Sequence, residues 1–331
     1  MWKAVRGRLD GRRSALEKER RSRVEDVGDT VAALGLPVGD PAAAGTSPRT
    51  FDDGAQYRVE IPSVEGPEAL QAVIDTADEY RVPVHRVSQG SGIMLQTDAE
   101  IDRMVALGRQ NGIEVCLFVG PRASWDVGAQ ARADTGMVVG GSLRGADQLA
   151  FGVEDVRRGC ELGLRSVLVG DLGQLWVLNE LRSRGALPAD LVLKTSVTLP
   201  AANPATARVL EGLGATTINL PVDLSVAQIA AIREAVTVPL DMYIEAADDF
   251  GGSVRYYELP EIVRVAAPVY LKFTVRNAPG LYPAGGHLRE LVLSTARERV
   301  RRAAIGLGTL ERAAARPFPR QDGTPPTERS A

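Results

Sequence analysis

Lysine is nearly absent from this chain. Of 39 basic residues among 331, only Lys3, Lys18, Lys194 and Lys272 are lysines, and arginine supplies the other 35. Cysteine is limited to Cys116 and Cys160, and histidine to His85 and His287. Two cysteines exclude a disulfide scaffold or a four-cysteine cluster and point to a reducing compartment, so a cytoplasmic protein is expected. Two histidines without ligand spacing speak against a structural zinc site. A magnesium site among Glu60, Glu245, Asp248 and Asp249 would have no distinguishing pattern, and no cofactor is expected. There is no apolar run of about 18 residues and no signal-peptide pattern, so neither membrane insertion nor secretion is expected. A net charge of −3 gives no reason to expect a nucleic-acid partner for the whole chain.

What is present is a regular alternation of strand and helix patterns. Residues 1–35 read as a helical arm, with Val24, Val27, Val31 and Leu34 at helical spacing. Its first 25 residues carry nine basic and four acidic side chains, a net of +5. That suits either a contact with nucleic acid or acidic protein, or a solvated helix paired through Glu17, Glu19 and Glu25. No aromatic interleaving or recognition motif supports the first. The arm is expected to pack on the exterior of the main domain or to join two copies of the chain. Residues 36–55 read as a linker and 316–331, with no apolar periodicity, as a disordered tail.

Between them, eight strand–helix units fill residues 56–315, the count and size of a (β/α)8 barrel. An open doubly wound sheet would carry a Gly-rich turn after its first strand, and Ile61-Pro62-Ser63-Val64-Glu65-Gly66 is not one. Helix-to-strand connections are short, whereas those after strands three, seven and eight are long. The working end is therefore expected at the carboxyl ends of the strands. The loop Pro121–Arg144, with Trp125-Asp126, is long enough for a lid.

Both internal lysines sit mid-strand, where a charge is expensive unless wet or paired. Unlike arginine, a lysine can give up its proton and serve as base or nucleophile. Period-two alternation turns Lys194 and Ser196 inward on strand five, with Asn219 on strand six and Asp241, Tyr243 and Glu245 on strand seven. Strand eight contributes Lys272 and Arg276, strand one Glu60, and strand two Arg86 and Ser88. Lys194, Glu60, Glu245 and Lys272 are the expected catalytic set. Arg86, Ser88, Asn219, Tyr243, Arg276 and the pair Gly285-Gly286 are the expected substrate-binding set. The glycine pair is included because it opens a helix after the eighth strand, where phosphate is often bound. Lys272 is expected between Glu245 and Glu60, held as ammonium. Lys194, with Asn219 beside it, is expected to be the reactive amine. Such a site suits a lyase or isomerase acting on a small anionic carbonyl compound. The bland alternative is an ion-pair network filling the barrel of a catalytically inactive binding subunit.

Several segments in one order carry a resemblance to a known family. They are Leu168-Val169-Gly170-Asp171-Leu172-Gly173, then Asn203-Pro204-Ala205-Thr206-Ala207-Arg208-Val209-Leu210, Leu213-Gly214-Ala215, Leu224-Ser225-Val226-Ala227-Gln228-Ile229 and Leu240-Asp241-Met242-Tyr243-Ile244-Glu245. This run resembles the collagenase-like peptidases of family U32. The resemblance implies a barrel-type domain and a hydrolase acting on peptides. Members of that family typically continue with a His-Gly pair and a cysteine cluster that in some holds an iron–sulfur centre. Here the place reads Glu245-Ala246-Ala247-Asp248-Asp249-Phe250-Gly251-Gly252, without cysteine, so no such centre is expected. An open groove at the strand ends would favour a peptide, and a narrow charged one a small molecule.

Overall fold

The computed structural model describes residues 27–122 and 140–315. Eight parallel strands run β1 (Tyr57–Pro62), β2 (Arg86–Gln89), β3 (Glu114–Phe118), β4 (Ser166–Val169), β5 (Val192–Thr195), β6 (Ile218–Asn219), β7 (Leu240–Glu245) and β8 (Val269–Phe273). Their order in the sheet is β5-β4-β3-β2-β1-β8-β7-β6. A parallel bridge between Lys194 and Thr217 joins β5 to β6, so the sheet closes on itself. The helices that follow are α1 (Pro67–Tyr80), α2 (Asp98–Asn111), α3 (Gly145–Glu161), α4 (Leu172–Ser183), α5 (Pro204–Gly212), α6 (Val226–Ala235), α7 (Leu259–Ala266) and α8 (Arg289–Ala315). This is the (β/α)8 barrel that the strand count implies.

Local chemistry sets the helix starts. Thr97 and Glu100 form a capping box at α2, and Ser225 and Gln228 another at α6. Asp171 and Asn203 cap α4 and α5 through the N–H groups of Gln174 and Thr206. Pro67 and Pro204 occupy first-turn positions where no N–H is needed. The expected boundaries hold to within about two residues for most elements. β5 and β6 are short, Val192–Thr195 and Ile218–Asn219, with turns and irregular backbone on either side.

The main apolar core lies between the sheet and the helices. Val59, Val87, Leu117, Val167, Leu193, Met242 and Leu271 point outward into it and are fully or almost fully buried. Among the described residues, two small apolar groups stand apart from this core, Cys116 with Phe118 and Leu168, and Tyr243 with Val222 and Ala246. The rest of the barrel's interior is polar. That contrast positions the site.

The N-terminal segments close the opposite end. Arg208 on α5 donates to the carbonyls of Leu34 and Gly35 at 2.9 and 2.6 Å, holding the end of the arm, whose helical part spans 27–33. Val27 and Leu34 stay exposed. The segment 36–55 is bound to α7: Ser47 N–H donates to Arg264 O at 2.8 Å, and Arg264 Nη1 to Ala44 O at 2.7 Å. Phe51 meets Tyr270 edge-on at 5.2 Å and caps the barrel below β8. Residues 1–26 of the arm with Val24, the Trp125-Asp126 part of the expected lid and the tail 316–331 lie outside the described residues.

Candidate active site

Adjacent strands deliver the charges in register. Glu60 on β1 stands beside Arg86 on β2 and Lys272 on β8. Lys194 reaches it from β5, across the barrel. Glu60 Oε2 pairs closely with Lys194 Nζ and lies 3.4 Å from Arg86 Nη1. Its Oε1 accepts from Ser88 Oγ at 2.6 Å and lies 3.6 Å from Lys272 Nζ. Asp241 on β7 takes Arg86 Nη1 at 3.2 Å and Thr217 Oγ1 at 2.8 Å on Oδ1, and Lys194 Nζ at 3.2 Å on Oδ2. Arg86 Nε donates to Glu114 Oε1 at 2.9 Å, and Ser166 Oγ donates to the same oxygen at 2.6 Å.

Three cations thus meet three carboxylates, and their mutual attraction offsets the loss of hydration that burial imposes. Burial alone would push the Glu60 carboxyl up, but Lys194, Lys272 and Arg86 outweigh it and hold it well below the carboxylate range. Burial likewise opposes the charge on Arg86, and Glu114 and Asp241 more than restore it. Arg86 also stacks on Tyr270 at 3.5 Å, which fixes its plane toward the bottom of the barrel.

Above this layer lies a cavity of about 170 Å³ at the carboxyl ends of the strands. Ser63, Ser88, Phe118, Arg122, Ser196, Asn219, Tyr243, Lys272 and Tyr282 are among its walls. Lys272 is the lysine that faces it. Its Nζ lies 4.0 Å from the centre of the Tyr243 ring. The Asn219 amide, assigned with its oxygen inward, accepts from Lys272 Nζ at 2.9 Å and from Val197 N at 3.2 Å. Arg122 stacks on Phe118 at 3.7 Å and donates to Gly90 O and Ser91 O at 2.7 and 3.1 Å. Among the described residues, the cavity wall holds these two cations and no aspartate or glutamate. Burial, with Glu60 adding to it, pushes the Tyr243 phenol up. A second cavity, about 310 Å³, lies at the amino ends of β3 and β4 beside Arg109 and Arg165, away from the lysines.

Several expected placements change. Lys194 does not line the cavity; it is fully buried beneath it, bound to Glu60 and Asp241. Its partners are carboxylates on β1 and β7, because a long side chain spans the barrel to strands that are not its neighbours in the sheet. Glu245 is not beside Lys272. Regular pairing already sets Tyr243 opposite Lys272, and the register shift that follows, between Tyr243 and Glu245, sets Glu245 opposite Phe273. Glu245 instead accepts from Tyr256 Oη and from Arg276 N at 3.0 Å, with Arg302 of α8 at 3.6 Å. Arg86 lies below the cavity. Arg276 is half-exposed and pairs with Asp248 at 2.6 Å. Gly285 and Gly286 are exposed at a short 3₁₀ turn before α8 and do not line the cavity. Ser88, Asn219 and Tyr243 do line it.

Arg122, Ser63 and Tyr282 escaped the sequence reading. Each lies in the loop just beyond a strand, where alternation no longer says which way a side chain points. Their only signal was position after β1, β3 and β8. Among the described residues no three His, Cys, Asp or Glu side chains are grouped to hold a metal ion, and no helix is long and apolar enough to cross a membrane.

No family model matches the chain, and no curated protein matches it. Solved structures similar to it include a U32 peptidase, at 16% identity over 72% of this chain and 97% of that one, with a TM-score of 0.40. A 3-hexulose-6-phosphate synthase matches at 12% identity over 75% and 99%, with a TM-score of 0.41. Thiamine phosphate pyrophosphorylase from Pyrococcus furiosus matches at 10% identity over 77% and 97%, with a TM-score of 0.43. At these values the likenesses carry no argument about chemistry, and the fold rests on this chain's own strand pairing.

Proposed function

We propose that this barrel is a lyase or isomerase that uses Lys272 on a small anionic carbonyl compound. The observation that carries the reading is a cavity of about 170 Å³ with Lys272 in its wall and, among the described residues, no carboxylate lining it. Such a space holds the equivalent of about six water molecules, which suits a substrate of a few carbons better than an extended peptide. Arg122 and Lys272 give the cavity a positive wall that suits a carboxylate. Glu60 is more tightly engaged by Lys194 than by Lys272, so Lys272 is the less restrained of the two amines. Ser88 bridges Glu60 to the cavity and offers a path for a proton. In the amine form, Lys272 adds to the carbonyl carbon, and the resulting iminium accepts the electron pair of a neighbouring C–C or C–H bond as it breaks. The U32 resemblance supports the alternative of peptide hydrolysis. With Val27 and Leu34 exposed, pairing of two chains through the arm belongs to the same proposal.

The test is reductive trapping. Borohydride added with a panel of short 2-oxo acids is expected to leave a reduced adduct on the Lys272 peptide, read by mass spectrometry, and none in Lys272→Arg. Absence of an adduct with every member, together with cleavage of a peptide library, would return the assignment to the hydrolase.

A further inference from the structure

The loop after β8, residues 277–286, folds back over the cavity and is fastened to two other loops. Ala284 N–H donates to Ser91 Oγ at 2.8 Å, in the loop after β2. Tyr282 Oη shares a hydrogen bond with Ser63 Oγ, directly after β1. The Tyr282 ring lies so close to Gly90 that a Cβ built there would come within 2.2 Å of ring Cε1. The missing side chain at position 90 is what lets the tyrosine reach the cavity.

Ser63 is held in an uncomfortable conformation. Its φ is 60°, in the left-handed region that favours glycine. Its carbonyl accepts from Nη1 of Arg299 at 3.2 Å, a guanidinium buried under α8. Glu65, two residues on, accepts the N–H groups of Gly90 and Ser91 at 2.7 and 3.0 Å and locks the β1 and β2 loops together. Glycine at 63 would relieve the strain but would also remove the hydroxyl that meets Tyr282. Strain retained beside a cavity, with the side chain pointing into the contact, is a mark of function. Both hydroxyl-bearing residues line the cavity that Lys272 faces. Tyr282 is 38% exposed, its hydroxyl turned to Ser63, and like any phenol it holds its proton at neutral pH and remains a donor.

We propose that Tyr282 and Ser63 form a hydroxyl pair that donates to the carbonyl oxygen of the substrate attacked by Lys272, a role that rests on the lysine chemistry above. As the Nζ–C bond forms and the C–O bond breaks, the oxygen leaves as water. One of its protons comes from the attacking amine and the other from Tyr282, whose phenolate is re-protonated by solvent at the cavity mouth. The iminium keeps the remaining N–H. Ser63 positions the phenol and donates to the oxygen while negative charge develops on it.

The experiment uses the full chain with pyruvate and borohydride, and follows the rate at which the Lys272 peptide is labelled. Wild type should label. Tyr282→Phe and Ser63→Gly should label at least tenfold more slowly, and Ser63→Gly should melt at or above the wild-type temperature because its strain is gone. Slower labelling without lower stability separates a chemical role from a packing one. Labelling of both variants at the wild-type rate overturns this role and leaves the lysine reading standing. No labelling of wild type with pyruvate or with any other short 2-oxo acid removes the lysine reading itself, and this role with it.

Discussion

Lys194 and Glu60, 134 residues apart in sequence, form an ion pair inside the barrel with neither side chain exposed. Asp241 completes the arrangement on the far side of the same ammonium. Removing the cation leaves two buried carboxylates to share Arg86 and Lys272. Lys194→Met is therefore expected to lower stability by about 3–5 kcal/mol, measured by urea unfolding. Lys194→Arg should also destabilise, since a wider guanidinium must enter a sealed space. A loss under about 1 kcal/mol for Lys194→Met would mean the pair is not structural.

Asp155 on α3 is expected to make stability pH-dependent near neutrality. Burial pushes its carboxyl up to about 6, against the N–H of Gly120 that it accepts at 3.1 Å. Its folded value lies above the usual 3.8, so its contribution is fully favourable below about pH 4 and lost as pH rises through 6. Asp155→Asn should thus melt higher than wild type at pH 7.5, by at most about 3 kcal/mol, with the gap narrowing by pH 5. Glu60 has the opposite sign: its folded value is depressed, so its stabilisation is present above about pH 4.5 and fades in acid. A gap that widens on acidification would contradict the assignment to Asp155.

Both cysteines should be inert in the native protein. Cys116 faces the barrel interior and Cys160 the core behind it, both unpaired and buried. Burial pushes the two thiols up to about 12 and about 11 respectively. The thiolate is the reactive form, so an aromatic disulfide reagent at pH 8 should label neither until denaturant is added. Rapid labelling of the folded chain would show that the interior opens.

Phe51 tests whether the segment before β1 belongs to the barrel. Its ring meets Tyr270 edge-on and carries Arg58 at 4.3 Å, and Tyr270 in turn carries Arg86. Phe51→Ala should cost about 3 kcal/mol in urea unfolding and loosen Arg86 beneath the ion network. A change within experimental error would make the segment a dispensable linker.

The barrel is legible in the sequence because each strand and helix has its own periodicity, and eight repeats leave few other closed arrangements. The inward positions of Glu60, Lys194, Asn219 and Lys272 follow from the same alternation. Alternation gives a side of the sheet, however, and not a height along the barrel axis or a partner across it. Lys194 spans the interior to Glu60 on the strand directly opposite, four places away around the closed sheet, and no local pattern encodes that reach. The register shift after Tyr243 set Glu245 opposite Phe273, with Tyr256 and Arg302 as its partners, a displacement visible only in the paired strands. Ser63, Arg122 and Tyr282 lie past the strand ends, where loop packing sets direction. The sequence alone therefore determined which residues face inward. Closure of the sheet decided which lysine is sealed in an ion pair and which one faces a cavity, because burial and pairing depend on neighbours brought together only by the fold.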